Sequence, residues 1–208
     1  VYQVAAAGTP QQEPSGQVDA LLARAGNELL NQKLDAAITD FTGVIRVDPK
    51  RGEAYDGRGQ AYYATGKYDE AYADFTKALQ LDPGDAIAYW KLGDVYAQRQ
   101  DHQRAIEAFT RSIGLDDEPR VYYLRGRQYV ALTQWDRALA DYDRAIQLND
   151  FIAPEFFVGR AEVYTHQGRY DPAIGDLKHA LQMDSNDTAA SSELERVEQL
   201  QSEGRAPR

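Results

Sequence analysis

The chain has 208 residues, of which 43% are hydrophobic, and its formal net charge at pH 7 is −10. An acidic surface repels the phosphate backbone, so we expect no nucleic-acid partner. Cysteine is absent, which excludes disulfides, thiolate metal sites and a cysteine nucleophile. No apolar run reaches the roughly 18–20 residues that a bilayer span requires, so we expect no membrane span.

The first 18 residues differ in composition from the rest of the chain. They are rich in Ala, Gln, Gly and Pro and show no helical stripe, which predicts a flexible N-terminal tail over residues 1–18. The run from Val4 to Gly8 resembles the end of a secretory signal. We therefore expect a periplasmic or secreted protein whose signal has been removed. A cytoplasmic protein with a plain flexible terminus is the alternative.

After this tail, the same residue types return about every 34 residues. The clearest unit covers residues 52–85 and carries, in order, Tyr55, Gly59, Gly66, Ala71 and Phe75. The other units are 19–51, 86–118, 119–153 and 154–187, of which the first is one residue short. Large apolar residues lie three or four apart in each half of a unit. Each unit therefore predicts two amphipathic helices.

Small residues and turn residues mark how the two predicted helices meet. A small residue recurs in the first helix and an alanine in the second, where a larger side chain would overpack by roughly 1–3 kcal/mol. We place Gly59, Gly93, Gly126 and Ala161 in the first set, and Ala37, Ala71, Ala105, Ala138 and Ala173 in the second. Gly66 and Gly168 lie between helices, where a left-handed residue ends the first one. Asp-Pro pairs at residues 48–49 and 82–83 end the second helix.

The repeat stops after Asp187. Residues 188–203 predict one further helix with a polar outer face, which covers the last apolar surface of the array. Residues 204–208 are expected to form a frayed tail.

The order and spacing of these residues resemble the tetratricopeptide repeat over about four-fifths of the chain. The resemblance implies an all-α fold, a right-handed α-α superhelix of about five helix–turn–helix repeats with a C-terminal capping helix. It also implies a non-catalytic scaffold or adaptor that binds a polypeptide segment in the concave groove lined by the first helices.

An arginine and an aspartate recur 16 residues apart in four units: Arg24 and Asp40, Arg58 and Asp74, Arg125 and Asp141, Arg160 and Asp176. The middle unit replaces both together, with Leu92 and Ala108. A joint replacement predicts that the two positions face each other. We interpret them as partly buried structural ion pairs, not as anion receptors or catalytic acids.

No sequence motif indicates an enzyme, and we predict no catalytic residues and no cofactor. His102, His166 and His179 lie in different repeat positions and lack metal-ligand spacing. His102 replaces the large apolar residues of other units and is expected to pack. The chain also lacks a phosphate-binding loop and a nucleophile elbow.

The resemblance also places a set of side chains in the groove. We predict that Asn27, Asp56, Gln60, Tyr63, Trp90, Asp94, Arg120, Tyr123, Arg127 and Glu162 bind a partner protein or peptide. Trp90 is the expected anchor, because Tyr89 and Leu92 already fill the core of its unit. The family's basic clamp for a terminal carboxylate is missing, since Gly57 and acidic or amide residues occupy its positions. Arg120 and Arg127 still offer a place for an acidic segment.

Two other hypotheses stay open. Residues 1–17 could dock into the groove of the same or a neighbouring chain, which would make the protein a self-associating structural protein. An enzyme or enzyme subunit is the third hypothesis, and a cofactor or metal bound to the purified protein would support it. The partner's identity does not follow from the residues.

Overall fold

The computed structural model describes residues 14–148 and 153–204, and these contain eleven α-helices. The chain divides into two compact units, of which one ends at Gly84 and the other begins at Asp85. None of the helices in the described ranges combines the length and the apolar character needed to cross a membrane.

The N-terminal unit consists of two helix pairs. Its helices are α1 (Pro14–Leu30), α2 (Leu34–Val47), α3 (Gly52–Ala64) and α4 (Tyr68–Leu81). Each helix packs against its successor, and α1 also contacts α3. The core contains Val18, Ala25, Phe41 and Val44. Helices of this period bury one apolar stripe each, and the pairs stack on these stripes.

The beginning of α1 corrects the predicted tail. The helix starts at Pro14, so residues 14–18 are helical. Val18 is 8% exposed and joins the core together with Ala25. The spacing of Val18, Leu22 and Ala25 continues the helical stripe, which the surrounding polar composition had masked. Residues 1–13, and with them most of the segment predicted to dock into a groove, lie outside the described residues.

The C-terminal unit continues the helix pairs and adds the predicted capping helix. Its helices are α5 (Ala86–Gln98), α6 (His102–Leu115), α7 (Pro119–Ala131), α8 (Trp135–Gln147), α9 (Pro154–His166), α10 (Tyr170–Met183) and α11 (Thr188–Ser202). Each packs against the next, and α7 also contacts α5 and α9. Ala190 and Val197 of α11 are fully buried against α9 and α10. The predicted all-α repeat fold is confirmed.

The turn inside each helix pair depends on one left-handed residue. Gly66 and Gly168 have φ values of 75° and 71°, as predicted. Gln32, Gln100 and Thr133 adopt the same conformation in the other pairs. In all five turns the next N–H donates to the carbonyl five residues back, as from Lys67 to Tyr62 at 2.9 Å. The repeat therefore imposes this turn even where the residue is not glycine.

The turn after the second helix depends more on aspartate than on proline. Asp82 has extended backbone, and its carboxylate accepts the N–H of Gly84 at 2.9 Å. Asp184 is followed by serine, yet its backbone is nearly identical and its carboxylate accepts the N–H of Asn186 at 3.0 Å. A side chain that bonds the backbone two residues on is sufficient to end the helix there.

Small residues face large rings where the two helices of a pair meet. Glycines of the first helix lie against rings of the second in three pairs: Gly59 and Phe75, Gly93 and Phe109, Gly126 and Tyr142. A Cβ atom at Gly93 would lie 2.6 Å from the Phe109 ring. In the last pair Ala161 takes the position of these glycines, and Leu177 of the second helix takes the position of the ring. In the first pair Ala25 is buried, whereas a Cβ atom at Gly26 would meet nothing within 4 Å.

The four predicted arginine–aspartate pairs are all formed. Arg58 donates to both carboxylate oxygens of Asp74 at 2.7 Å, and Arg160 does the same to Asp176. The other two pairs, Arg24 with Asp40 and Arg125 with Asp141, have the same two-bond geometry. Leu92 and Ala108, which replace the pair in the middle unit, are both buried.

Three of these arginines also bond to the preceding helix pair. The third nitrogen donates from Arg58 to Thr42 at 3.1 Å, from Arg125 to Thr110 at 2.9 Å and from Arg160 to Asp143 at 2.7 Å. Each guanidinium also lies 5.5–5.9 Å from two aromatic rings on its own helix. One side chain therefore connects two helices of a pair and the pair before it.

We expect Asp141→Ala to lower the free energy of unfolding by about 3 kcal/mol, because it leaves the largely buried Arg125 without its carboxylate. Urea unfolding measures this. The double variant Arg125→Leu with Asp141→Ala copies the apolar pair of the middle unit and should recover most of the loss. A double variant as unstable as the single one would contradict structural pairing.

We expect Gly93→Ala to destabilise the protein by about 1–3 kcal/mol, because the new Cβ would overlap the Phe109 ring. Gly175→Ala is the matched control, since Gly175 lies inside α10 with no atom within 4 Å of a Cβ placed there. That change should stabilise the protein by about 0.5–1 kcal/mol. Equal effects in urea unfolding would show that the contact with the ring does not matter.

Candidate protein-binding face

The predicted binding residues of the C-terminal unit lie on three neighbouring helices. Trp90 and Asp94 are on α5, and Glu162 is on α9. Arg120, Tyr123 and Arg127 are on α7, which contacts both α5 and α9. These three residues are spaced by three and four positions, so they lie along one side of the helix. We call them the α7 face.

Tyr123 forms the centre of the α7 face. Its ring centroid lies 5.8 Å from that of Tyr142 and 5.2 Å from that of Phe156, so two aromatic contacts hold the side chain. Burial raises the pKa of its hydroxyl, which therefore stays a proton donor at neutral pH. Within the described residues this hydroxyl makes no hydrogen bond.

The two arginines of the α7 face are exposed and unpaired. The Arg127 guanidinium lies 6.0 Å from the centroid of the Tyr123 ring, in range of a cation–π contact. Among the residues the structure describes, neither Arg120 nor Arg127 has a carboxylate within 4.0 Å or a hydrogen bond. Their N–H groups are consequently available to a partner.

Asp94 on α5 is a half-buried carboxylate whose charge interacts with the arginines of the α7 face. Burial raises its pKa to about 6, although the positive charges of Arg120, Arg127 and Lys91 oppose the shift. No hydrogen bond or ion pair to Asp94 occurs in the described part of the chain. The structure thus brings Asp94 close to both arginines without joining it to either.

Acidic groups border the other side of the α7 face. The charges of Glu155 and Glu162 on α9 both act on the Tyr123 hydroxyl, so these side chains lie near it. Glu162 also acts on Arg196 of α11, which holds Glu193 through two bonds. The two arginines of α7 therefore lie near acidic groups of both α5 and α9.

The structure corrects the reason given for choosing Trp90, whose role as an anchor stays a prediction. It is half-buried and packs against the cluster that contains Phe109 and Val121, so the core of its unit was not already filled. The Lys91 ammonium lies 5.7 Å from the centroid of the Trp90 ring, and its positive charge lowers the pKa of Asp94. Lys91 was not among the predicted binding residues. Lys91 precedes Asp94 by three residues, and this spacing predicts that the two side chains are neighbours on one helix.

The predicted residues of the N-terminal unit are already engaged with neighbours. The side chain of Gln60 donates to Asp56 at 2.7 Å, and Tyr63 contacts Tyr68 edge to face at 5.5 Å. Asn27 is exposed, and its carbonyl accepts from the Asn31 side chain at 2.7 Å. A partner would have to displace or extend these contacts.

The histidines contribute to contacts between repeats. His102, expected to pack as an apolar residue would, instead has a ring nitrogen 2.9 Å from the amide oxygen of the buried Gln128. His166 stacks on Trp135 with ring centroids 4.2 Å apart. In residues 14–148 and 153–204, no three His, Asp or Glu side chains are grouped as a metal site would require.

These features define a helical-repeat protein of stacked antiparallel helix pairs, with a side-by-side surface of first helices in its C-terminal unit. The tetratricopeptide-repeat profile matches residues 22–86, 57–118 and 123–188. The chain therefore belongs to the tetratricopeptide-repeat family, whose fold generally serves protein–protein interaction.

Several solved structures share the fold. A crystal structure of MamA is 25% identical and matches 79% of this chain and 96% of its own, with a TM-score of 0.71. YrrB, described as a TPR protein with an unusual peptide-binding site, is 17% identical over 88% of this chain and 97% of its own, with a TM-score of 0.72. PilF of Pseudomonas aeruginosa is 15% identical over 86% of this chain and 82% of its own, with a TM-score of 0.77. No curated protein sequence matches the chain.

We expect Asp94→Asn to stabilise the protein at pH 7 by about 1–3 kcal/mol and to have little effect at pH 4. The folded-state pKa of Asp94, about 6, lies above its ordinary value of 3.8. Stability linked to this carboxyl is therefore present at pH 4 and lost as the pH rises through 6. Urea unfolding across this range measures the difference.

Glu155→Gln is the control for this experiment, because Glu155 is an exposed carboxylate beside the same face. Its effect should stay within about 0.5 kcal/mol at both pH values. A constant difference between Asp94→Asn and wild type from pH 4 to 7 would contradict the burial of Asp94.

Proposed function

We propose that the protein is a non-catalytic scaffold or adaptor that binds a polypeptide segment across α5, α7 and α9. One observation carries the proposal: the α7 face presents the donors of Arg120, Tyr123 and Arg127 without a partner among the described residues. Unsatisfied donors around a fixed ring are typical of a surface that recognises another molecule.

The aromatic content of this region also supports binding. Trp90 and Tyr123 are half-buried, so each offers apolar area while losing little side-chain freedom when a partner covers it. YrrB has a peptide-binding site on the same fold, but at 17% identity that likeness extends to the fold alone. The support therefore rests on the residues of this chain.

A structural role for the buried carboxylates supports the non-catalytic part of the proposal. Asp74, Asp141 and Asp176 are each held by two bonds from an arginine. A carboxylate held in this way joins helices and is poorly placed to exchange a proton with a substrate.

We expect Arg127→Glu and Trp90→Ala each to weaken binding of selected peptides by at least about tenfold. Peptides selected on the wild-type chain from a displayed random library are the probe, and fluorescence anisotropy measures their affinity. Arg111→Glu is the control, because Arg111 is exposed and unpaired within the described residues but lies on α6. Circular dichroism verifies that each variant is folded.

Selected peptides that bind both variants as tightly as wild type would exclude this face as the binding site. Failure to select any peptide would count against polypeptide binding itself. Weakening by Arg111→Glu equal to that by Arg127→Glu would indicate only a general effect of charge.

A further inference from the structure

The α7 face is unusual in how its positive charges are arranged. The protein is acidic, with 33 acidic against 23 basic residues. Among the described residues, carboxylates form ion pairs with Arg24, Arg51, Arg58, Arg104, Arg125, Arg144, Arg160 and Arg196. Among the described arginines of the C-terminal unit, Arg111, Arg120 and Arg127 alone make neither an ion pair nor a hydrogen bond. Two of these three lie on the same side of α7.

The geometry of the α7 face suits carboxylates. Arg120 and Arg127 are separated by two helical turns, which is about 10 Å along the axis. The Arg127 guanidinium lies over the Tyr123 ring at 6.0 Å and makes no hydrogen bond among the described residues, so its N–H groups are open to a two-bond contact with a carboxylate. The Tyr123 hydroxyl adds a neutral donor between the two charges.

The carboxylates of the protein itself do not satisfy these donors. Asp94 on α5 and Glu155 and Glu162 on α9 act on the face through space, yet none lies within 4.0 Å of either arginine. Glu162 is also shared with Arg196. The face consequently keeps two arginines whose hydrogen-bonding capacity exceeds what its neighbours use.

We infer that the polypeptide bound here is an acidic segment, with carboxylates bonded to Arg120 and Arg127 on either side of the Tyr123 hydroxyl. This inference rests on the proposed function and specifies its ligand. Asp94 acts as the internal competitor of the segment, because its negative charge interacts through space with the same arginines. The charged groups that act on Asp94 are Lys91 on its own helix and Arg120 and Arg127 on α7.

The first test is the composition of the selected peptides. They should be enriched in Asp and Glu, and a version with every Glu changed to Gln should bind wild type at least about tenfold more weakly. Acetylated and amidated peptides remove the terminal charges. The double variant Arg120→Gln with Arg127→Gln should bind both versions equally weakly, whereas Arg111→Gln should bind like wild type.

The second test uses the internal competitor. Asp94→Asn should strengthen binding of the acidic peptide at pH 7.5 by roughly three- to tenfold. Wild type should approach the affinity of this variant when the pH falls to 5.5, because its Asp94 becomes protonated. The variant itself should show little change over this range. Parallel pH profiles for the two proteins would overturn the role given to Asp94.

The outcomes separate this inference from the proposed function. Neutral or basic peptides that lose binding in Arg127→Glu would leave the binding face in place and overturn the acidic ligand. The absence of any selected peptide would overturn both. Competition by a single-stranded oligonucleotide at an affinity equal to that of the acidic peptide would also overturn the inference, since the face would then bind polyanions without distinguishing polypeptide.

Discussion

The contact on which four of the five helix pairs depend is made by an arginine of the first helix, and it is seen in full at Arg58, Arg125 and Arg160. Two nitrogens bond an aspartate of the second helix, a third reaches the preceding pair, and two rings flank the guanidinium. Because the guanidinium is planar and its donors have fixed directions, these bonds set the rotation of both helices together. The charges of these arginine–aspartate contacts therefore hold the helices of a pair together and join each of these pairs to the one before it.

Helical periodicity separates this structural role from binding on the same helix. Arg125 and Arg127 lie two residues apart in α7, which places them about 200° apart around the helix axis. Arg125 is largely buried between helices and paired with Asp141, whereas Arg127 is exposed and lies over Tyr123. Two arginines with nearly the same sequence neighbours therefore differ in role. The packing of the helix pair buries Arg125 as a structural residue and leaves Arg127 exposed to a partner.

The repeat made much of the fold predictable, because five copies allow one position to be compared with another. The joint replacement by Leu92 and Ala108 predicted the arginine–aspartate contact from the sequence alone. Features that occur once could not be compared in this way. The start of α1 at Pro14 was missed because its composition is polar, and the half-burial of Trp90 and Asp94 depends on how α5 packs. Side-chain burial follows from tertiary packing, which local pattern does not contain.

The helix that carries the proposed binding residues is held by several side-chain contacts. The Tyr122 hydroxyl donates to Asp117 at 2.6 Å, and Gln128 contacts His102 of α6. Arg125 bonds both neighbouring helices, and Tyr123 contacts two aromatic rings. A surface held in this way loses little conformational entropy when a ligand binds. The bonds that assemble the repeats therefore also orient the donors of α7 before a partner arrives, which links the stability of the array directly to recognition.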